Sequence, residues 1–84
     1  MENYIIVEIY DPKYNDGHKP GWRYEVYNES AKDEIPQKYF DQDETHVFWK
    51  FSADCRNDAV AKFLAAIKFS TGDGLLWTYD RQKL

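Results

Sequence analysis

The residues of this 84-residue chain best suited to chemistry are its two histidines, His18 and His46, its one cysteine, Cys55, and the close-set carboxylates Asp41, Asp43 and Glu44. Cys55 falls at the start of a helical pattern, where the helix N-terminus favours a thiolate. A nucleophilic thiol also needs a histidine base. His18 lies in a turn-rich stretch and His46 at the start of a strand pattern, and no nucleophile motif surrounds either. Cys55 is therefore read as structural or capping, with a small thiol-dependent enzyme or sensor kept as an alternative.

Metal chemistry fares no better. Neither a Cys-x-x-Cys nor a His-x-x-x-His spacing occurs. Asp41-x-Asp43 opens like a calcium loop, but the sixth position, which needs Gly, is His46, and the twelfth, which needs a bidentate Glu, is Ser52. Gly72-x-Gly74 fits a helix exit better than a phosphate loop. No catalysis, metal or cofactor is expected.

Charge is more informative. The chain carries a net −4, and the stretch from Glu25 to Glu44 holds seven acids (Glu25, Glu29, Asp33, Glu34, Asp41, Asp43, Glu44) against Lys32 and Lys38. That stretch is −5 and the remainder is +1. An acidic chain lacks the Lys and Arg on which phosphate binding rests, so direct nucleic-acid binding is not expected. The Val47-Phe48-Trp49-Lys50-Phe51 run could stack bases, but it lacks the glycines of the RNA-recognition motif. A basic protein surface is the better-matched partner.

The elements that position these groups follow from periodicity. Tyr4 to Tyr10 alternates as a strand, with Ile5, Val7 and Ile9 on one face and Tyr4, Ile6, Glu8 and Tyr10 on the other. Residues 11 to 21 are rich in turn formers and long for a hairpin connection, either a binding loop or a plain insertion. Trp22 to Tyr27 is a second, strictly alternating strand, and His46 to Phe51 is a third, with Val47, Trp49 and Phe51 on one face and His46, Phe48 and Lys50 on the other.

Between them runs the acidic connection, residues 28 to 45. Ser30 with Asp33 resembles a capping box, Pro36 interrupts any longer helix, and Ile35, Tyr39 and Phe40 are placed to fix the segment to the body. Cys55 to Phe69 is the main helix, with Ala59, Val60, Phe63, Leu64 and Ile67 on one stripe and Asp54 or Cys55 as its cap. Leu75 to Asp80 reads as a fourth strand.

The expected fold is thus a single small α+β domain in the order β-β-β-α-β. Its four-stranded mixed or antiparallel sheet is ordered 4-1-2-3, with one helix on one face. A helix between the last two strands favours a parallel right-handed crossover. Either the second sheet face is left bare and aromatic, inviting homodimerisation or a partner, or the acidic connection folds over it. No run is long enough to span a membrane, and a soluble cytoplasmic protein is expected.

The favoured functional expectation is a non-catalytic protein-binding inhibitor that presents Asp33, Glu34, Asp41, Asp43 and Glu44 to a basic partner surface, with Tyr14 and Trp22 as aromatic anchors. In its specific form the carboxylates stand where DNA phosphates would, as in small phage-encoded anti-defence proteins. An immunity protein or antitoxin, and a structural homodimer through an aromatic sheet face, remain alternatives.

Overall fold

The computed structural model describes residues 1–15, 17, 20–40 and 46–69. Among the described residues three strands form an antiparallel sheet: β1 (Glu2–Tyr10), β2 (Trp22–Asn28) and β3 (His46–Ala53). One main helix, α1 (Arg56–Phe69), follows β3. Two short 3-10 helices, η1 (Glu29–Glu34) and η2 (Gln37–Phe40), lie in the connection from β2 to β3.

The strand order is β2-β1-β3. β1 pairs with β2 from Tyr4↔Asn28 to Tyr10↔Trp22, and with β3 from Glu2↔Ala53 to Ile9↔His46. The expected order 4-1-2-3 is overturned on this point. Both edges of β1 are occupied, so β3 does not sit beside β2 and no further strand can sit beside β1. The reason lies in the connection. It leaves β2 on one side of β1 and must reach β3 on the other, so it crosses the sheet face and deposits Ile35, Tyr39 and Phe40 there. The expected fourth strand, Leu75 to Asp80, and the helix exit at Gly72 or Gly74 lie outside the described residues.

The crossing gives the sheet two covers. On one face, Ile5, Val7, Ile9 and Phe48 pack with Ile35, Tyr39 and Phe40, and Tyr27 closes the margin. Phe40 stacks on Phe48 at 5.1 Å between ring centroids. On the opposite face lie Tyr4, Ile6, Trp49 and Ala53, with Tyr24, Val26, Val47 and Phe51, against Ala59, Phe63, Ala66 and Ile67 of α1. The ring of Phe63 meets Tyr24 at 5.1 Å, Trp49 at 5.8 Å and Phe51 at 6.5 Å, so it contacts rings from both β2 and β3. Of the two expectations for the second face, the folded-over connection is the one seen.

Each cap is a local hydrogen-bonding solution. η1 is capped by Asn28, whose Oδ1 accepts from the Ser30 amide at 3.0 Å and the Ser30 hydroxyl at 2.8 Å. The cap thus lies two residues before the expected Ser30, because Asn28 ends β2 in extended conformation and its carboxamide reaches the next turn. At α1 the Ala59 amide donates to the Cys55 carbonyl at 3.1 Å, which places the cap at Cys55, while Asp58 accepts from the Asp54 amide at 3.2 Å. The buried stripe of α1 is narrower than its sequence pattern: Ala59 and Phe63 are buried, Val60 and Ile67 half-buried, and Leu64 exposed.

Candidate functional site

The acidic connection is the candidate site, and the described acids of the Glu25–Glu44 stretch sit in different settings. Glu25 and Glu29 are tied to cations from the sheet. Arg23 Nη1 donates to Glu25 Oε2 at 2.7 Å, and Lys50 Nζ lies 2.6 Å from Glu29 Oε1. Asp33 and Glu34 are exposed on η1. Asp41, Asp43 and Glu44 lie outside the described residues.

The anchoring of this connection was not foreseen from its charge. Glu25 accepts from three donors: Tyr27 Oη at 2.5 Å, Arg23 Nη1 at 2.7 Å and Tyr39 Oη at 2.9 Å. Tyr27 and Arg23 belong to β2, as Glu25 does, and reach it because residues two apart share a strand face. Tyr39 belongs to η2, so its hydroxyl ties the connection to the strand it left.

Burial would raise the Glu25 carboxyl, but the bonds from Tyr27, Arg23 and Tyr39 outweigh it and hold the group below the usual carboxylate range. Burial and the bond to Glu25 push both the Tyr27 and Tyr39 phenols up. The bond to Glu25 likewise raises the Arg23 guanidinium. Glu29 is held low by Lys50, foremost through their hydrogen bond. A signal for the network was present in the Arg23-x-Glu25-x-Tyr27 spacing; the contribution of Tyr39, fourteen residues on from Glu25, had none.

The two aromatic candidates sit elsewhere. Tyr14 is half-buried within an ordered turn. Its amide donates to the Asp11 carbonyl at 2.9 Å, its carbonyl accepts from Gly21 at 2.9 Å, and the Asp11 amide donates to the Gly21 carbonyl at 2.8 Å. Trp22 opens β2, half-buried, with its ring edge against Tyr10 at 5.4 Å. η1 starts beyond the opposite end of the seven-residue β2. Trp22 and Asn28 are thus about 20 Å apart along the strand. The structure does not bring the aromatic pair together with the start of η1.

Other chemistry can be placed as well. Cys55 is exposed at the start of α1. His46 is buried beside Tyr39, with ring centroids 4.8 Å apart. Glu8 is buried on the helix face and accepts from the Trp49 indole at 2.5 Å. Among the described residues no group of three His, Cys, Asp or Glu side chains is placed to hold a metal ion, and no helix is long and apolar enough to cross a membrane. Compared with known proteins, the chain matches no family model, no curated protein and no solved structure.

Proposed function

We propose that this chain is a non-catalytic protein-binding domain, an inhibitor, whose acidic connection engages a basic surface on a partner protein. The specific form is an inhibitor of a nucleic-acid-handling protein, with the carboxylates of Asp33 and Glu34, joined by Asp41, Asp43 and Glu44, occupying positions that phosphates would take. The observation that carries the reading is the mounting of η1. Asp33 and Glu34 face solvent on a segment bounded on both sides by fixed points: the Asn28 cap before it, and buried Ile35, Tyr39 and Phe40 after it. Carboxylates on a fixed support lose less conformational freedom on binding than the same charges on a mobile tail.

Charge reversal tests the reading. A partner captured with the parent protein is purified, and its association is measured at low and high salt. Asp33→Lys/Glu34→Lys and Asp41→Lys/Asp43→Lys/Glu44→Lys are the two variants. The parent's on-rate falls with salt, and each variant associates about tenfold more slowly at low salt with a flatter salt dependence. Unchanged rates and unchanged salt dependence in both variants sink the proposal. An immunity protein or antitoxin would use the same surface against a basic toxin, and the identity of the captured partner separates the two.

A further inference from the structure

The turn between β1 and β2 and the acidic connection adjoin opposite ends of β2, yet a run of polar side chains joins them along one face of that strand. Asp11 lies in the turn, just past the end of β1. Its Oδ2 is 3.8 Å from Arg23 Nε, its Oδ1 accepts from the Lys13 amide at 3.1 Å, and its own amide donates to the Gly21 carbonyl. Arg23 Nη1 donates to Glu25 Oε2 at 2.7 Å, and the Tyr39 hydroxyl of η2 donates to that same oxygen. Asp11, Arg23, Glu25 and Tyr39 thus form one contiguous chain of contacts from the turn to the connection.

The geometry makes these contacts reinforce one another. Arg23 turns different nitrogens to its two carboxylates, Nε to Asp11 and Nη1 to Glu25, so the acids do not compete for one N–H. A guanidinium is planar and rigid, so fixing one edge orients the other. Glu25 is itself held at both oxygens, Oε1 by Tyr27 and Oε2 by Arg23 and Tyr39. Rotamer freedom that Arg23 loses in meeting Glu25 is not lost a second time in meeting Asp11. With side chains 41% and 30% exposed, the Asp11–Arg23 pair is screened, and the effect it transmits is a few-fold in an equilibrium.

We infer that the Asp11–Gly21 turn and the acidic connection are coupled through Arg23 and Glu25. Seating Tyr39 on Glu25 favours the closed turn, and closing the turn favours the seated connection by the same factor. The inference is independent of the partner proposed for the acidic connection. It makes the two segments one responsive unit, so that an occupant of either biases the other.

Amide hydrogen exchange, followed by NMR on the full chain, tests it. The Asp11, Tyr14 and Gly21 amides, each bonded within the turn, report on its closure. The Tyr39 amide, which donates to the Pro36 carbonyl at 3.0 Å, reports on the connection. Tyr39→Phe speeds exchange of the turn amides about threefold, and Asp11→Asn speeds that of the Tyr39 amide about threefold. Both substitutions are close to isosteric, and Asn keeps an acceptor for the Lys13 amide. In an Arg23→Gln background neither has a further effect. Phe63→Leu, on the opposite face of the sheet, lowers global stability without speeding the turn amides, which open locally. Circular dichroism checks that each variant is folded. Turn amides unmoved by Tyr39→Phe, a Tyr39 amide unmoved by Asp11→Asn, effects that persist with Arg23→Gln, or turn amides that follow Phe63→Leu would each overturn the inference.

Discussion

The Tyr39 hydroxyl donates to Glu25 Oε2 at 2.9 Å, joining η2 to β2 across fourteen residues of sequence. This bond completes the enclosure of a carboxylate that also receives Tyr27 and Arg23. It closes a loop in the chain: the acidic connection leaves β2, crosses the sheet and is tied back to the strand of origin while it crosses.

Tyr39→Phe removes that one donor and leaves the ring in place, so its cost is that of a hydrogen bond to a charged acceptor, about 1.5–3 kcal/mol. Glu25→Gln in the same background should cost less than it does alone, since one of its partners is already gone. Urea unfolding of the two single variants and the double variant gives the coupling directly. Strict additivity would show that the bond contributes nothing to stability.

The network also sets limits in pH. Hydrogen bonds hold Glu25 low against the opposing effect of burial, so its contribution is present above the ordinary carboxylate range and is lost as pH falls through the depressed folded value. Burial and the bond to Glu25 raise the Tyr27 and Tyr39 phenols, so their contribution is complete below their ordinary pKa of 10.0 and declines as pH rises beyond it. Urea midpoints against pH should therefore fall in acid and again in strong alkali. Glu25→Gln should flatten the acid limb, and Tyr27→Phe/Tyr39→Phe the alkaline one.

Phe63 and Leu64 are adjacent on α1 but differ in what they hold. Phe63 is fully buried among Tyr24, Trp49 and Phe51, and Phe63→Ala should cost about 3–5 kcal/mol. Leu64 is 38% exposed, and Leu64→Ala should cost under about 1 kcal/mol. Thermal or urea denaturation of the pair checks the helix rotation. Equal costs would contradict it.

Gly21 has φ of +78°, and a Cβ built there would lie 3.2 Å from Tyr10 Cε1. Gly21→Ala should therefore destabilise by roughly 1–2 kcal/mol through backbone strain. Displacement of the exposed Tyr10 ring should accompany it, visible as a shift in the aromatic side-chain resonances. An unaltered stability would mean that the Asp11–Gly21 turn tolerates a different backbone path.

How much of this was written in the sequence depends on which interaction did the writing. Alternation marked all three described strands to within two residues at each end, and the helical period marked α1 to within one. Ile35, Tyr39 and Phe40 were legible as apolar residues in an acidic setting, and all three are buried. Alternation says which residues share a face, but not which strand lies next to which. The neighbour of β1 was decided by the connection's path over the sheet, a tertiary choice without a local signal. The charge count was similarly blind to pairing: Glu25 and Glu29 add to the acidic total, yet Arg23 and Lys50 hold them. Asp33 and Glu34 were correctly placed outside any strand, and their presentation depends on neighbours whose burial the pattern did implicate.

β1 is the innermost strand, paired along both edges and buried from Tyr4 to Ile9. Every described layer is assembled on it, and of its described partners β3 and α1 are the most distant in sequence. Its interior amides can therefore meet solvent only when the whole molecule opens, and their exchange rates report the global unfolding equilibrium. During synthesis the same apolar strand emerges ahead of β2, η2, β3 and α1, which cover it. It is the segment with the longest wait for shelter, and the one for which a newly made chain most needs rapid closure of long-range contacts.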